Sequence, residues 1–303
     1  MRAPRAAGEA VGPRLRAGWK FLIFLALFVG LGRLAAWAVL STGYKPPRGF
    51  TAEDAAIAEI VQFAIALVAS WVLSRIEGRS LADYGLPARG AFGAKFWEGT
   101  LWGLGAVTAL FLMVLGAGGA RVSGLAIHGF ALWHYLALWT VAMIGIGLFE
   151  ELTFRGTPLY TLAGGMGFWP AAILLSLVFG ALHFFFKPME NLVDAASVTL
   201  LGLFMALALR RTGSLWFPIG FHVGFDWAAL FFYSAPNTAN EGQPLVGHFL
   251  AVEWKGPAWI NGGPLGLEAS VFVFVVIAAL YLGLNARYRQ ARWPVSQGPA
   301  AAL

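Results

Sequence analysis

Residues 167–186 read GFWPAAILLSLVFGALHFFF and contain no Asp, Glu, Lys or Arg. A helix of about 20 residues rises roughly 30 Å, which matches the hydrocarbon core of a bilayer. This stretch therefore predicts a transmembrane helix. His183, near its end, is an ionisable residue inside an apolar span, where such residues are usually functional.

Similar apolar stretches recur along the whole chain. Of 303 residues, 59% are hydrophobic and 12% are charged, whereas a soluble domain carries about 25% charged residues. We predict an all-α polytopic transmembrane helical bundle of about eight spans. The predicted spans are 19–42, 52–74, 95–116, 130–163, 167–186, 191–209, 213–234 and 265–286.

The distribution of Lys and Arg predicts the orientation, because these residues collect in cytoplasmic loops. With a cytoplasmic N-terminus, 15 of them lie on the cytoplasmic side, 5 on the other side, and Arg33 within the first span. Both termini are then cytoplasmic. The net charge of +6 follows from this bias, so it does not indicate a nucleic-acid partner. The five on the other side are Lys45, Arg48, Arg121, Lys187 and Lys255.

Two charged residues fall within the first two predicted spans. Arg33 and Glu59 lie on either side of the turn Lys45-Pro46-Pro47, so an antiparallel helix pair would place them at similar depth. Because lone charges in lipid are costly, we expect an Arg33–Glu59 ion pair. The chain has no cysteine, which excludes disulfides, thiolate metal sites and cysteine nucleophiles.

The first polar cluster is Glu150-Glu151-Leu152-Thr153-Phe154-Arg155. Residues four apart share one face of a helix, so Glu151 and Arg155 can pair. Glu150 points about 100° away and has no local partner, which makes it the better candidate for a general base. The alternative is a helix end with interfacial charges.

Two further clusters lie on the following spans. The turn Gly164-Gly165-Met166-Gly167 would bring His183 to the depth of Glu150 in an antiparallel hairpin. His222 and Asp226 are four apart and so share a helix face. Taken singly, each histidine could be a hydrogen-bonded core residue.

Together these side chains indicate hydrolysis. A carboxylate and an imidazole can activate a water molecule for attack on an amide carbonyl. A second histidine with a polar neighbour can stabilise the oxyanion. Alternatively, Glu150, His183, His222 and Asp226 could bind a metal ion such as Zn²⁺. The sequence leaves the metal and metal-free routes open.

Glu150-Glu151 with Arg155, then Phe179 with His183, then His222 with Asp226, in this order on consecutive spans, resemble the CAAX-protease and bacteriocin-processing (CPBP) family of intramembrane proteases. The resemblance is specific over about residues 145–235. It implies that Glu150 activates water beside His183. His222 and Asp226 would bind the oxyanion or a metal, and Glu151 and Arg155 would support them. Many members have Asn in place of Asp226, and an unprotonated Asp cannot donate a hydrogen bond.

The resemblance implies an intramembrane endopeptidase in a bacterial cytoplasmic (inner) membrane, acting on a membrane-associated protein or peptide. The substrate could be lipidated or a small secreted peptide. The alternatives are a non-catalytic scaffold or bacteriocin-immunity factor of the same fold, and a proton-linked transporter. Transporters often contain internal repeats, which this sequence lacks. The oligomeric state stays open.

The chain then divides into five regions. They are a cytoplasmic tail at 1–18, variable spans at 19–129, a catalytic core at 130–235, an outer loop at 236–264, and the last span with a basic tail at 265–303. Because His222 lies about nine residues into its predicted span from the cytoplasmic side, we expect the catalytic cavity to open toward the cytoplasm.

Overall fold

The computed structural model describes residues 16–44 and 51–293, and most of them form long helices. The α-helices are α1 (Ala17–Ser41), α2 (Ala52–Glu77), α3 (Ala94–Gly116), α4 (Gly129–Glu151), α5 (Thr157–Met166), α6 (Phe168–Phe186), α7 (Leu192–Thr212), α8 (Trp216–Asp226), α9 (Ala258–Asn261) and α10 (Val273–Arg287). π-Helical segments Leu152–Gly156 and Trp227–Phe232 follow α4 and α8. The predicted all-α polytopic bundle is confirmed.

Six helical stretches within the described residues are long and apolar enough to cross a membrane. One of them, Gly129–Met166, runs unbroken through α4, the π-helical segment and α5 for 38 residues, as the overlong predicted span 130–163 indicated. The count of eight spans and the cytoplasmic termini stay predictions. The last predicted span begins too early, because α10 starts at Val273 and short 3-10 turns precede it.

Four short strands lie outside the bundle. β1 (Ala120–Leu125) pairs antiparallel with β4 (Leu250–Trp254), and β2 (Pro236–Asn237) pairs with β3 (Gln243–Pro244). The region 236–264, predicted to be an irregular loop, is thus partly ordered by backbone pairing. The β1–β4 ribbon joins the α3–α4 connection to the connection that precedes α10.

One end of the bundle carries the start of α1 and the end of α10, and we call it the terminal end. There the side chain of Lys20 contacts Glu77 at 2.9 Å, Trp216 Nε1 donates to the Pro87 carbonyl at 2.8 Å, and the backbone N–H of Arg292 donates to the Arg210 carbonyl at 2.9 Å. These contacts bring together the α2–α3 and α7–α8 connections and both ends of the described chain.

The opposite end carries the connection 233–272, and we call it the loop end. Trp139 Nε1 donates to the Val246 carbonyl at 2.9 Å, and the Ser197 hydroxyl donates to the Glu268 carbonyl at 2.7 Å. At the same end, the start of α4 meets the start of α2. The beginnings of α2, α4 and α7 therefore lie beside the connection 233–272.

A seam of glycines holds α3 against α8. A Cβ atom at Gly103 would overlap the Phe221 carbonyl oxygen, and one at Gly224 would overlap the Thr100 carbonyl oxygen. Helices can approach this closely only where small residues face each other. Because α8 carries His222 and Asp226, this seam fixes the depth and rotation of two candidate site residues.

We expect Gly103→Ala to destabilise the protein by about 1–3 kcal/mol, because the added methyl forces α3 and α8 apart. Gly105→Ala is the matched control, since a Cβ there meets no atom within 4 Å. Thermal unfolding in detergent would measure both variants. Equal midpoints for the two would contradict a tight seam.

Candidate active site

The centre of the site is the carboxylate of Glu151 at the end of α4. Its side chain is 0% exposed, and that of Arg155, one helical turn on, is 2% exposed. Arg155 Nη1 donates to Glu151 Oε1 at 3.1 Å, as the spacing of four predicts. His222 Nδ1 contacts the same oxygen at 2.9 Å. A buried charge requires such partners, since an unpaired one is costly to desolvate.

His222 links this buried pair to two further carboxylates. Its Nε2 lies 3.4 Å from Asp226 Oδ2 and 3.6 Å from Glu150 Oε2. Since Glu151 accepts only from a protonated nitrogen, the contact assigns a proton to Nδ1 and leaves Nε2 facing the other two acids. The structure therefore brings Glu150 and Asp226, from different helices, to one ring nitrogen.

His183 reaches the site from α6. Its Nδ1 lies 2.9 Å from the Phe179 carbonyl oxygen, and its ring packs against the Phe179 ring with centroids 4.5 Å apart. A carbonyl can only accept, so Nδ1 carries the proton and Nε2 is the free acceptor in the neutral ring. A neutral imidazole with a free Nε2 can accept a proton from water.

These residues line one cavity of about 260 Å³. Its walls include Glu150, His183, His222 and Asp226, so the structure brings all four predicted catalytic residues together. Glu151 and Arg155 lie behind the wall, where they hold His222.

The cavity extends from these residues toward the loop end. Lys187 at the end of α6, residues 235–237 and residues 265–268 contribute to its walls. We expected the cavity to open toward the cytoplasm, the side predicted to bear the termini, whereas its lining extends toward the opposite end of the bundle. The expectation counted residues from the start of α8 alone. His183 lies only three residues before the end of α6, which is at the loop end.

Glu59 is a site residue that sequence reasoning assigned to another role. It lines the cavity and lies close enough to Glu150, Asp226 and His222 for their charges to interact. The predicted Arg33–Glu59 ion pair is wrong, because Arg33 lines an apolar groove between α1 and α2 instead. A carboxylate within a predicted span correctly indicated a residue of interest. Pairing Glu59 with the nearby charged residue Arg33 gave the wrong partner.

Glu268 is a cavity residue that the sequence did not single out. It lies in a 3-10 turn before α10 and lines the cavity from the loop end. Burial and the nearby Asp194 and Asp226 carboxylates raise the pKa of Glu268 to about 8. Its position at the start of the predicted span 265–286 is typical of an ordinary interfacial charge, and only the folded connection 233–272 turns it inward.

The donor atoms do not fit a metal site as they are arranged. Within the described part of the chain, no group of three or more His, Cys, Asp or Glu side chains could hold a metal ion. A zinc ion takes about four ligands at roughly 2.0–2.3 Å. Nδ1 of each histidine makes a hydrogen bond, so Nε2 would be the nitrogen that binds a metal. Zn²⁺ at Glu150, His183, His222 and Asp226 stays a prediction of the sequence.

We expect Arg155→Leu to destabilise the protein by about 3–5 kcal/mol, because it leaves the Glu151 charge buried with one partner fewer. Adding Glu151→Gln should recover much of that loss by removing the charge. Denaturant or thermal unfolding of the single and double variants would measure the coupling. Additive losses would contradict a buried ion pair.

The family model for type II CAAX prenyl endopeptidase Rce1-like proteins matches residues 131–228. No curated protein and no solved structure matches the chain. The matched segment holds Glu150, Glu151, Arg155, His183, His222 and Asp226, whereas Glu59 and Glu268 lie outside it. Over residues 131–228 this chain is therefore similar to the Rce1-like type II CAAX prenyl endopeptidases, and its predicted resemblance to the CPBP proteases is confirmed.

Proposed function

We propose that this protein is an intramembrane endopeptidase that hydrolyses a peptide bond in a membrane-associated protein or peptide. One observation carries the proposal: His222, held by the buried Glu151, faces Glu150 and Asp226 at the wall of a cavity among the helices. The match to the Rce1-like family model supports the same reaction class.

Glu150 is the proposed base. As the carboxylate accepts a proton from water, the water oxygen attacks the carbonyl carbon of the scissile amide, and a tetrahedral oxyanion forms. His183 assists by accepting a hydrogen bond from the same water at its free Nε2. The proton then passes from Glu150 to the departing amine as the C–N bond breaks, which returns the site to its starting state.

His222 is the proposed oxyanion donor. With Nδ1–H fixed on Glu151, a proton on Nε2 points toward the cavity, where the negative oxygen develops. A donor that is already in place costs no reorganisation during the reaction, and one such contact contributes roughly 3–4 kcal/mol to transition-state stabilisation. Glu151 and Arg155 act through His222 and are positioning residues.

Asp226 is proposed to orient His222 rather than to bind the oxyanion itself. Its Oδ2 lies 3.4 Å from His222 Nε2, and a carboxylate without a proton only accepts. An Asn at this position, as in many members of the family that the sequence resembles, could donate to the oxyanion directly. Asp and Asn at this position would thus support oxyanion stabilisation in different ways.

We propose a metal-free route, with Glu150 as the group that activates water. The arrangement of the donors supports it, because no group of three or more His, Asp or Glu side chains in the described part of the chain is placed to hold a metal ion. In this route the protein supplies both the base and the oxyanion donor from its own side chains.

We expect Glu150→Gln to lower kcat at least about 10²-fold, since the amide cannot accept the proton from water. Glu53→Gln is the matched control, because Glu53 is half-exposed at the start of α2 and its contact is with His134. Cleavage of a membrane-peptide library by detergent-purified protein would measure both variants. Absence of cleavage by the folded wild type would favour the scaffold or immunity-factor alternative.

We expect purified protein to contain less than one Zn²⁺ per chain and to keep its activity after treatment with a chelator, because the proposed route uses no metal. Elemental analysis, with cleavage assayed before and after dialysis against chelator, measures both. Stoichiometric zinc, with activity lost on its removal and restored on its return, would establish the metal route instead.

A further inference from the structure

The cavity lies toward the loop end of the bundle, and most of the Lys and Arg residues lie at the terminal end. We propose that the catalytic cavity opens on the side of the membrane away from the cytoplasm. Its substrate would then be a secreted or membrane-anchored peptide whose scissile bond lies outside the cytoplasm, not the prenylated C-terminus of a cytosolic protein. The inference rests on the proposed endopeptidase function.

The first step is the distribution of basic residues over the folded chain. Arg155, which a count along the sequence places in a cytoplasmic connection, is buried in the bundle on Glu151 and drops out of the count. Among the described residues, the terminal end then carries Arg16, Lys20, Arg75, Arg79, Arg89, Lys95, Arg210, Arg211, Arg287, Arg289 and Arg292, and the loop end carries Arg121, Lys187 and Lys255. Lys and Arg mark the cytoplasmic side.

The contacts at the terminal end confirm that these cations belong to one face. Glu77 contacts both Lys20 and Arg79 at 2.9 and 3.3 Å. On α10, Arg287 lies 3.7 Å from Glu98, which also contacts Lys95 at 3.0 Å. The N- and C-terminal helices and the α2–α3 connection therefore share this basic surface. Positive charge is gathered at one end of the bundle, not spread along its sides.

The second step is the position of the residues that line the cavity relative to that surface. His183 lies three residues before the end of α6, and Glu59 lies seven residues after the start of α2, both counted from the loop end. At 1.5 Å per residue these positions are about 5 and 10 Å from their helix ends. The same residues are about 22 and 27 Å from the terminal end of their helices. His222 lies six residues after the start of α8, so the cavity runs from the middle of the bundle toward the loop end, where residues 235–237 and 265–268 line it.

The third step is the cover at the loop end. Residues 235–237 and 265–268 line the outer part of the cavity, and the β1–β4 ribbon braces this connection against the start of α4. Trp254 Nε1 donates to the Ser234 carbonyl at 3.0 Å, which fixes the connection at its first turn. A substrate that enters from this side passes an ordered rim, which the Glu268 carboxyl group and the Lys187 amino group line.

The chain has no cysteine, so single cysteines report topology without background. Ala126→Cys places a thiol at the loop end, after β1, and Ala88→Cys places one at the terminal end, before α3; both positions are exposed. In spheroplasts treated with a membrane-impermeant maleimide, we expect at least about tenfold more labelling of Ala126→Cys, in keeping with the positive-inside rule. Ala88→Cys should be labelled only after permeabilisation. The reverse pattern, or equal labelling of both, would overturn the proposal.

The second arm uses cleavage of a peptide that cannot cross the membrane. The peptide is chosen by its cleavage with detergent-purified wild type and its survival with Glu150→Gln. Right-side-out vesicles should cleave it and inverted vesicles should not. Cleavage by inverted vesicles alone would refute the side assignment and leave the endopeptidase intact. If the detergent-purified protein cleaves no peptide, the endopeptidase fails, while the labelling still decides the orientation.

Discussion

The Glu151 carboxylate is the constraint on which the site depends. It is fully buried, so its charge must be balanced from within the bundle, and Arg155 and His222 provide that balance at 3.1 and 2.9 Å. Arg155 comes from the same stretch of helix, whereas His222 comes from α8. A single buried charge thus ties α4 to α8 and sets the rotation of the imidazole. The Glu150 and Asp226 carboxyl groups lie at Nε2, on the opposite edge of that ring.

The helices themselves are adapted to this arrangement. π-Helical segments begin at Leu152 and Trp227, directly after Glu151 and Asp226. A π-turn inserts an extra residue into a helix and is frequent at functional sites. It interrupts the regular hydrogen bonding of the backbone carbonyls, and it changes the side of the helix on which all later residues lie. Here each one follows a pair of site residues, so the two helices can present acids to the cavity and resume apolar packing beyond it.

Short-range geometry made much of this predictable. The spacing of four residues predicted the Glu151–Arg155 and His222–Asp226 contacts, and the length of the apolar stretches predicted the spans. What failed was long-range placement. Glu59 pairs with no residue of α1 because α2 packs on α4, where Gly145 makes room for it. Glu268 turns inward only through the folded connection 233–272. The direction of the cavity was inferred from α8 alone. Both α6 and α8 begin at the terminal end, but His183 lies near the end of α6, whereas His222 lies six residues after the start of α8.

The segment that matches the family model and the segments outside it contribute different parts of the cavity. Residues 131–228 contain the proposed base, the proposed oxyanion donor and their buried support. Such groups must lie within about 0.5 Å of productive positions. Glu59 and Glu268, outside that segment, add carboxylates to opposite walls of the same cavity. Neither contacts His222 as Glu150 and Asp226 do. The matched segment therefore carries the cluster around His222, because its groups must contact one another directly. α2 and the connection 233–272 complete the cavity walls around that cluster, where direct contact with His222 is not required.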